Sequence, residues 1–134
     1  MIDIESGLFT AVATALRAAY EGIYVSGEFV NQPPRFPAVY FEEQDNSVLQ
    51  RTQDSGSLEN HAEVMYQVEV YSNLNKGKKA QAKAIMATVD EIMAAKGFTR
   101  TFKNPIRNMN DPTIYRMAAR YMAVVGRDNE IYRR

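Results

Sequence analysis

The chain contains no cysteine and only one histidine. The absence of cysteine excludes disulfide bonds and metal sites built from thiolates. The single histidine, His61, cannot build a metal site alone, and we interpret it as an ordinary exposed side chain. We therefore expect no metal and no other cofactor.

An excess of one charge and long apolar runs are also lacking. Sixteen basic and sixteen acidic residues give a formal net charge of zero, so no overall field attracts nucleic acid. No apolar run approaches the roughly 20 residues that span a membrane. Residues 1–10 lack the charged and apolar regions of a signal peptide. We expect an intracellular product that does not contact a membrane.

The length of 134 residues is typical of one domain, and we assign residues 1–134 to a single domain. The hydrophobic fraction of 46% and the charged fraction of 24% are ordinary for a globular protein. A chain of this size buries roughly 68% of its unfolded surface, which is enough for a core.

Apolar residues at helical spacing predict two helices. The first covers residues 2–21. The second begins at a cap on Asn73 or Asn75 and ends at Gly97. Its apolar face comprises six residues: Ala82, Ile85, Met86, Val89, Ile92 and Met93.

Alternating residues predict five strands, at 23–30, 38–43, 63–71, 98–102 and 115–125. In the clearest of them the apolar face consists of Val64, Tyr66, Val68 and Val70. The other face of this strand is polar enough that we expect it to be at most half buried. Prolines in the loop before the second strand predict an extended connection, and turn-forming residues from Asn104 to Thr113 predict another loop.

Residues 44–62 are polar, and the turn signal D-S-G-S at 54–57 predicts a long projecting β-hairpin. The element order is therefore α-β-β-β-α-β-β with this hairpin between the second and third strands. Such an order predicts an α+β fold in which two helices cover a mostly antiparallel sheet.

Catalytic chemistry is poorly supported. Glu42 and Glu43 point to opposite faces of a strand, so with Asp45 they indicate a solvated edge rather than an acid–base pair. Lysines between Lys76 and Lys83 are compatible with an anion contact, but no phosphate loop precedes them, and a solvated helix face is favoured. Eight tyrosines, several predicted to be exposed on strands, favour a binding or assembly role instead.

Several segments together resemble the tail terminator or tail-completion proteins of long-tailed bacteriophages, also called neck or head–tail joining minor capsid proteins. An N-terminal helix leads to G-I-Y-V, and F-P-A-V-Y-F follows at 36–41. After the polar hairpin come Y-Q-V-E-V-Y-S, a helix ending in K-G-F-T-R, and N-D-P-T-I-Y-R-M-A-A-R-Y. The resemblance covers nearly the whole chain.

The resemblance implies a structural virion protein without catalytic residues. Such proteins form a hexameric ring that caps the tail tube, stops its polymerisation and joins the tail to the head connector. The implied partners are other copies of the chain, the tail tube protein and the connector protein, and DNA only passes through the ring lumen. Assembly in the host cytoplasm and a final place in the virion tail or neck follow from this role. The alternative is a small ligand-binding or regulatory α+β domain.

A closed ring requires two different patches on each subunit. The predicted hairpin offers one patch, and the proline-rich loop or a sheet edge offers the other. The residues expected to make contacts lie in the hairpin, in the proline-rich loop and on one face of the last strand: Arg51, Gln53, Asp54, Glu59, Arg35, Arg116 and Arg120.

Overall fold

A computed structural model describes residues 1–29, 32–49, 60–107 and 111–132. These residues form two helices and six strands. The elements are α1 (Glu5–Ala19), β1 (Tyr24–Ser26), β2 (Ala38–Val48), β3 (His61–Ser72), α2 (Lys78–Ala95), β4 (Thr99–Ile106), β5 (Tyr115–Gly126) and β6 (Ile131–Tyr132). The predicted α+β class is confirmed.

The strands form a single mixed sheet in the order β1-β2-β3-β5-β4, and β6 pairs with the end of β5. Only β1 and β2 run parallel, so the sheet is mostly antiparallel as expected. The sequence did not predict β6, because two residues are too few to show an alternating pattern.

Both helices cover the same face of the sheet. The predicted apolar face of β3 points toward them, and its residues are at most 1% exposed. The residues opposite on β5 extend the same core: Met117, Ala119, Tyr121, Ala123 and Val125. Helix α2 contributes Ile85 and Val89, whereas Ile92 of the predicted apolar face is only partly buried.

The two ends of α2 compare differently with the predictions. Asn73 and Asn75 do not cap the helix, because the chain first makes a turn at 75–77 and the helix begins after Gly77. Gly77 has a φ of 85°, and its carbonyl accepts the Gln81 N–H at 2.8 Å. The predicted end at Gly97 is confirmed: with a φ of 98°, this glycine closes a Schellman motif.

Three strand ends differ from the predicted ones by more than two residues. Strand β1 stops at Ser26 rather than residue 30, because the Ser26 hydroxyl bonds the backbone of Glu28 and turns the chain. Strand β4 continues to Ile106 through the predicted loop, since an edge strand tolerates Pro105. Strand β2 extends to Val48.

The predicted hairpin segment is described only in part. Residues 44–48 belong to β2, and residues 45–48 pair with β3 after a shift of register between Glu43 and Asp45. Asn46 lies opposite Val64, and Val48 lies opposite Ala62. The predicted turn at 54–57 lies outside the described residues.

The direction of the β3 side chains has a direct consequence for folding. We expect Val68→Asp to place an unpaired charge beneath the helices and to cost more than about 4 kcal/mol of unfolding free energy. Met65→Asp, on the opposite and partly exposed face of the same strand, should keep a cooperative thermal transition by circular dichroism. Equal melting temperatures for the two variants would contradict this assignment of faces.

Candidate interaction surface

The sheet face opposite the helices carries a second buried cluster. Ala38, Tyr40 and Tyr71 form it, and Phe36 and Ile114 pack against it from two loops. The expectation that this side of β3 is at most half buried is therefore wrong near Tyr71, which is 6% exposed. Loop residues distant in sequence cover this end of the sheet, which strand alternation alone does not reveal.

An ion pair between the buried Glu69 and the partly exposed Arg116 lies beside this cluster. The Glu69 residue is 3% exposed, and its Oε1 accepts hydrogen bonds from Nε of Arg116 at 2.7 Å and from Nη2 of the same guanidinium. The hydroxyl of Tyr71 and the amide of Gln67 donate to the same carboxylate, each at 3.3 Å. Several donors thus offset the desolvation of this charge.

Tyr71 is held as a neutral donor in this network. Burial and, after it, the negative charge of Glu69 together raise the pKa of Tyr71 to about 12. The guanidinium carbon of Arg116 also lies 5.4 Å from the centre of the Tyr71 ring. The ring and the carboxylate together fix the direction of the arginine.

The other two described arginines of the predicted contact set are held in the same way. Arg120 donates to the side-chain oxygen of Gln67 at 3.0 Å and lies 5.0 Å from the centre of the Phe102 ring. Arg35 donates to the carbonyl of Gly22 at 3.0 Å and lies over the ring of Tyr24. Both arginines remain exposed.

We call this surface the arginine face, and it comprises three arginines and the rings beneath them: Arg35, Arg116, Arg120, Tyr24, Tyr71 and Phe102. The three arginines predicted from the sequence thus lie over rings on the sheet face that the helices leave uncovered. Arginine and aromatic residues are enriched at protein interfaces, and arginines fixed in advance lose less entropy on binding.

Sequence reasoning missed the β3 residues that hold Arg116 and Arg120 in place, which are Gln67, Glu69 and Tyr71. Their signal was the alternation of polar residues on β3, which was interpreted as a partly solvated face. Four predicted contact residues, all from the hairpin, lie outside the described residues and stay predictions: Arg51, Gln53, Asp54 and Glu59.

A groove of about 640 Å³ borders the arginine face at Arg116 and lies between the end of β4 and the start of β5. It combines apolar side chains with two arginines. Its described lining consists of Pro105, Ile106, Arg107, Pro112, Ile114, Tyr115 and Arg116.

The acidic residues of β2 separate onto two faces, as predicted. Glu42 accepts a hydrogen bond from the Tyr40 hydroxyl at 2.5 Å, whereas Glu43 accepts one from the Tyr66 hydroxyl at 3.3 Å on the helix side. Carboxylate oxygens of Asp3, Glu5 and Glu43 lie within 4.8 Å of one another. Burial raises the pKa of Glu43, and the charges of Glu5 and Asp3 add to this effect.

Two other expectations need correction. His61 is half-buried rather than ordinarily exposed, and its Nδ1 is a buried atom without a hydrogen-bond partner in the described ranges. Half of the eight tyrosines are inside the protein, since Tyr40, Tyr66, Tyr71 and Tyr121 are all buried. They pack the two sides of the sheet, so exposed tyrosine does not supply the interface signal.

Neither helix in the described part of the chain is long and apolar enough to cross a membrane. The sequence profile described as "Tail completion protein gp17" matches residues 7–126, from α1 to the end of β5. The chain belongs to this tail completion family. No curated protein sequence matched the chain.

Membership of the tail completion family gives the protein a structural role in a bacteriophage tail. The resemblance inferred from the sequence is confirmed at this level. The family role implies interaction with other tail or head proteins.

The ion pair on the arginine face predicts unequal effects of two arginine replacements. Arg116→Ala leaves the Glu69 charge buried without its cation. We expect the free energy of unfolding to fall by an amount toward the lower end of about 3–5 kcal/mol. Arg120→Ala removes an exposed side chain bonded to a neutral amide and should cost less than about 1 kcal/mol. Urea unfolding of both variants measures the difference, and equal losses would contradict the assigned network.

The raised pKa of Glu43 predicts a pH-dependent stabilisation. The folded chain binds the carboxyl proton of Glu43 more tightly than the unfolded chain does. Stability is therefore lost as the pH rises from the ordinary pKa through the raised one, and the full loss is present above the raised pKa. Glu43→Gln should therefore raise the unfolding free energy at pH 7. The advantage should shrink as the pH falls through the raised pKa toward the ordinary one, because wild-type Glu43 is then protonated too. The exposed Glu91→Gln serves as control, and a benefit that grows at low pH would contradict the argument.

Proposed function

We propose that the protein is a tail terminator. Six copies of the 15.2 kDa chain form a ring of about 91 kDa that caps the tail tube, ends its polymerisation and joins it to the head connector. Residues 1–134 act as one domain. The ring assembles in the host cytoplasm, and DNA passes only through its lumen.

The observation that carries this proposal is the family match over residues 7–126, which covers all elements except β6 and the first two residues of α1. The fold adds a physical argument. A terminator must match the tube on one surface and present a different surface to the next component, since head-to-tail contacts do not end by themselves. The sheet provides two unlike surfaces, because helices cover one side and the arginine face occupies the other.

In this proposal the arginine face contacts acidic or carbonyl groups of the adjoining tail or connector protein. Arg120 is exposed and already oriented by Gln67 and Phe102, so a partner does not need to order it. Arg116 is bound to Glu69 and supports the surface. An exposed arginine over an aromatic ring is a typical centre of binding energy in a protein interface.

Tail length is the decisive measurement. Particles from a phage lacking this gene should show complete heads and unjoined tails of uncontrolled length in electron micrographs. Supplying the wild-type chain should restore joined tails of one length, whereas Arg120→Glu should restore them at least about tenfold less well. Lys83→Glu, the same charge change on the exposed side of α2, is the matched control. Normal tails attached to heads without the gene would exclude the terminator role.

A further inference from the structure

The two lateral edges of the sheet carry opposite charges. One edge is β4, the last strand in the sheet order. At the other edge β1 pairs only with Ala38–Tyr40 of β2. Residues 41–48 of β2 therefore have no strand on that side among the described residues. Each edge offers backbone and side-chain groups to a neighbour.

The edge of β2 borders an acidic groove of about 480 Å³. Its described lining contains no lysine or arginine, and it includes five carboxylates: Asp3, Glu5, Glu28, Glu42 and Glu43. Phe9 and Phe41 form its apolar part. We call this feature the acidic groove.

Charges inside the acidic groove repel one another. Glu5 already accepts the outward backbone N–H of Glu43 at 2.8 Å, which holds two carboxylates close together. The pKa of Glu43 is raised mainly by burial and further by the charges of Glu5 and Asp3, which agrees with this crowding. A cationic side chain that enters the groove therefore relieves an existing repulsion.

The opposite edge is basic. From Phe98 to Arg107 the sequence contains three cations and no acidic residue. Arg100 pairs with Asp90 of α2 at 2.8 Å, whereas Lys103 and Arg107 are exposed at the edge. We call Lys103, Arg107 and the intervening strand the basic edge.

Strand β4 also carries two features that limit indiscriminate strand pairing. Its register shifts between Arg100 and Phe102, and Pro105 lacks an N–H. Bulges, prolines and lysines protect edge strands from aggregation. A partner for this edge must therefore be selected by charge and shape rather than by backbone pairing alone.

We propose that the basic edge of one copy docks in the acidic groove of the next copy. This inference rests on the proposed ring and names its subunit contact. A second copy fits because each chain carries both patches, on opposite edges of one sheet, and the charges of the whole chain cancel. A contact between two different patches is heterologous, and it closes into a ring when the rotation between neighbouring copies divides a full turn. Complementary charges also fix its register.

Paired charge reversals test this contact. The basic-edge variant is Lys103→Glu with Arg107→Glu, and the groove variant is Asp3→Lys with Glu28→Lys. All four residues are exposed, so both variants should fold, which circular dichroism checks first. Each variant alone should raise the concentration at the midpoint of ring assembly at least about tenfold, as measured by sedimentation. Lys79→Glu with Lys83→Glu on α2 is the matched control and should leave the midpoint concentration of ring assembly unchanged.

Mixing the two variants provides the sharper result. In an alternating ring one contact joins two unchanged patches, and the next brings the two exchanged pairs of charges together at the exposed part of the groove, where Asp3 and Glu28 lie. Three carboxylates remain in the groove variant, so an equimolar mixture should assemble well below the concentration that either variant needs alone, and native mass spectrometry should find three copies of each variant. If a reversed variant does not fold, the neutral pair Lys103→Gln and Arg107→Gln replaces it and should weaken assembly in the same direction.

The outcomes separate this inference from the proposed function. If the wild-type chain forms rings and either variant forms them equally well, the edge contact is overturned and the terminator role stays intact. A mixture of the two variants that fails to assemble has the same consequence. Variant rings that form but no longer bind isolated tails would assign the acidic groove to a tail protein instead of a second copy. A wild-type chain that stays monomeric even on isolated tails would overturn both.

Discussion

Strand β3 must satisfy two different environments at once, and the rest of the structure depends on how it does so. Its even-numbered residues from Val64 to Val70 lie beneath two helices and are excluded from water. Its odd-numbered residues face the other way, where no helix of the described chain covers them. Glu69 is buried on that side only because Arg116, Tyr71 and Gln67 donate hydrogen bonds to it.

This division gives each surface of the protein a separate property. The helix side supplies stability by apolar burial, which is not directional. The opposite side presents arginines that are fixed by rings and hydrogen bonds. The lateral edges carry opposite charges, so the zero net charge is the sum of an acidic region and a basic region that lie on opposite edges of the sheet. Composition alone cannot show such an asymmetry, because it sums charges without their positions.

Sequence reasoning succeeded where a signal is local. The alternation from Val64 to Val70 and the Gly97 helix end were both predicted, since each depends on residues a few positions apart. The start of α2 was missed, because a turn at 75–77 separates the asparagines from the helix. Arg116 and Arg120 were selected from the sequence, but their rings and acceptors were not.

The sequence by itself determined the α+β class, the core face of β3 and the family to which the chain belongs. Only the tertiary structure decided that Glu69 meets Arg116, 47 residues later, and that an acidic groove lies across the sheet from a basic edge. The reason is cross-strand register. Periodicity tells which face a side chain occupies, but a shift of pairing changes every neighbour on that face.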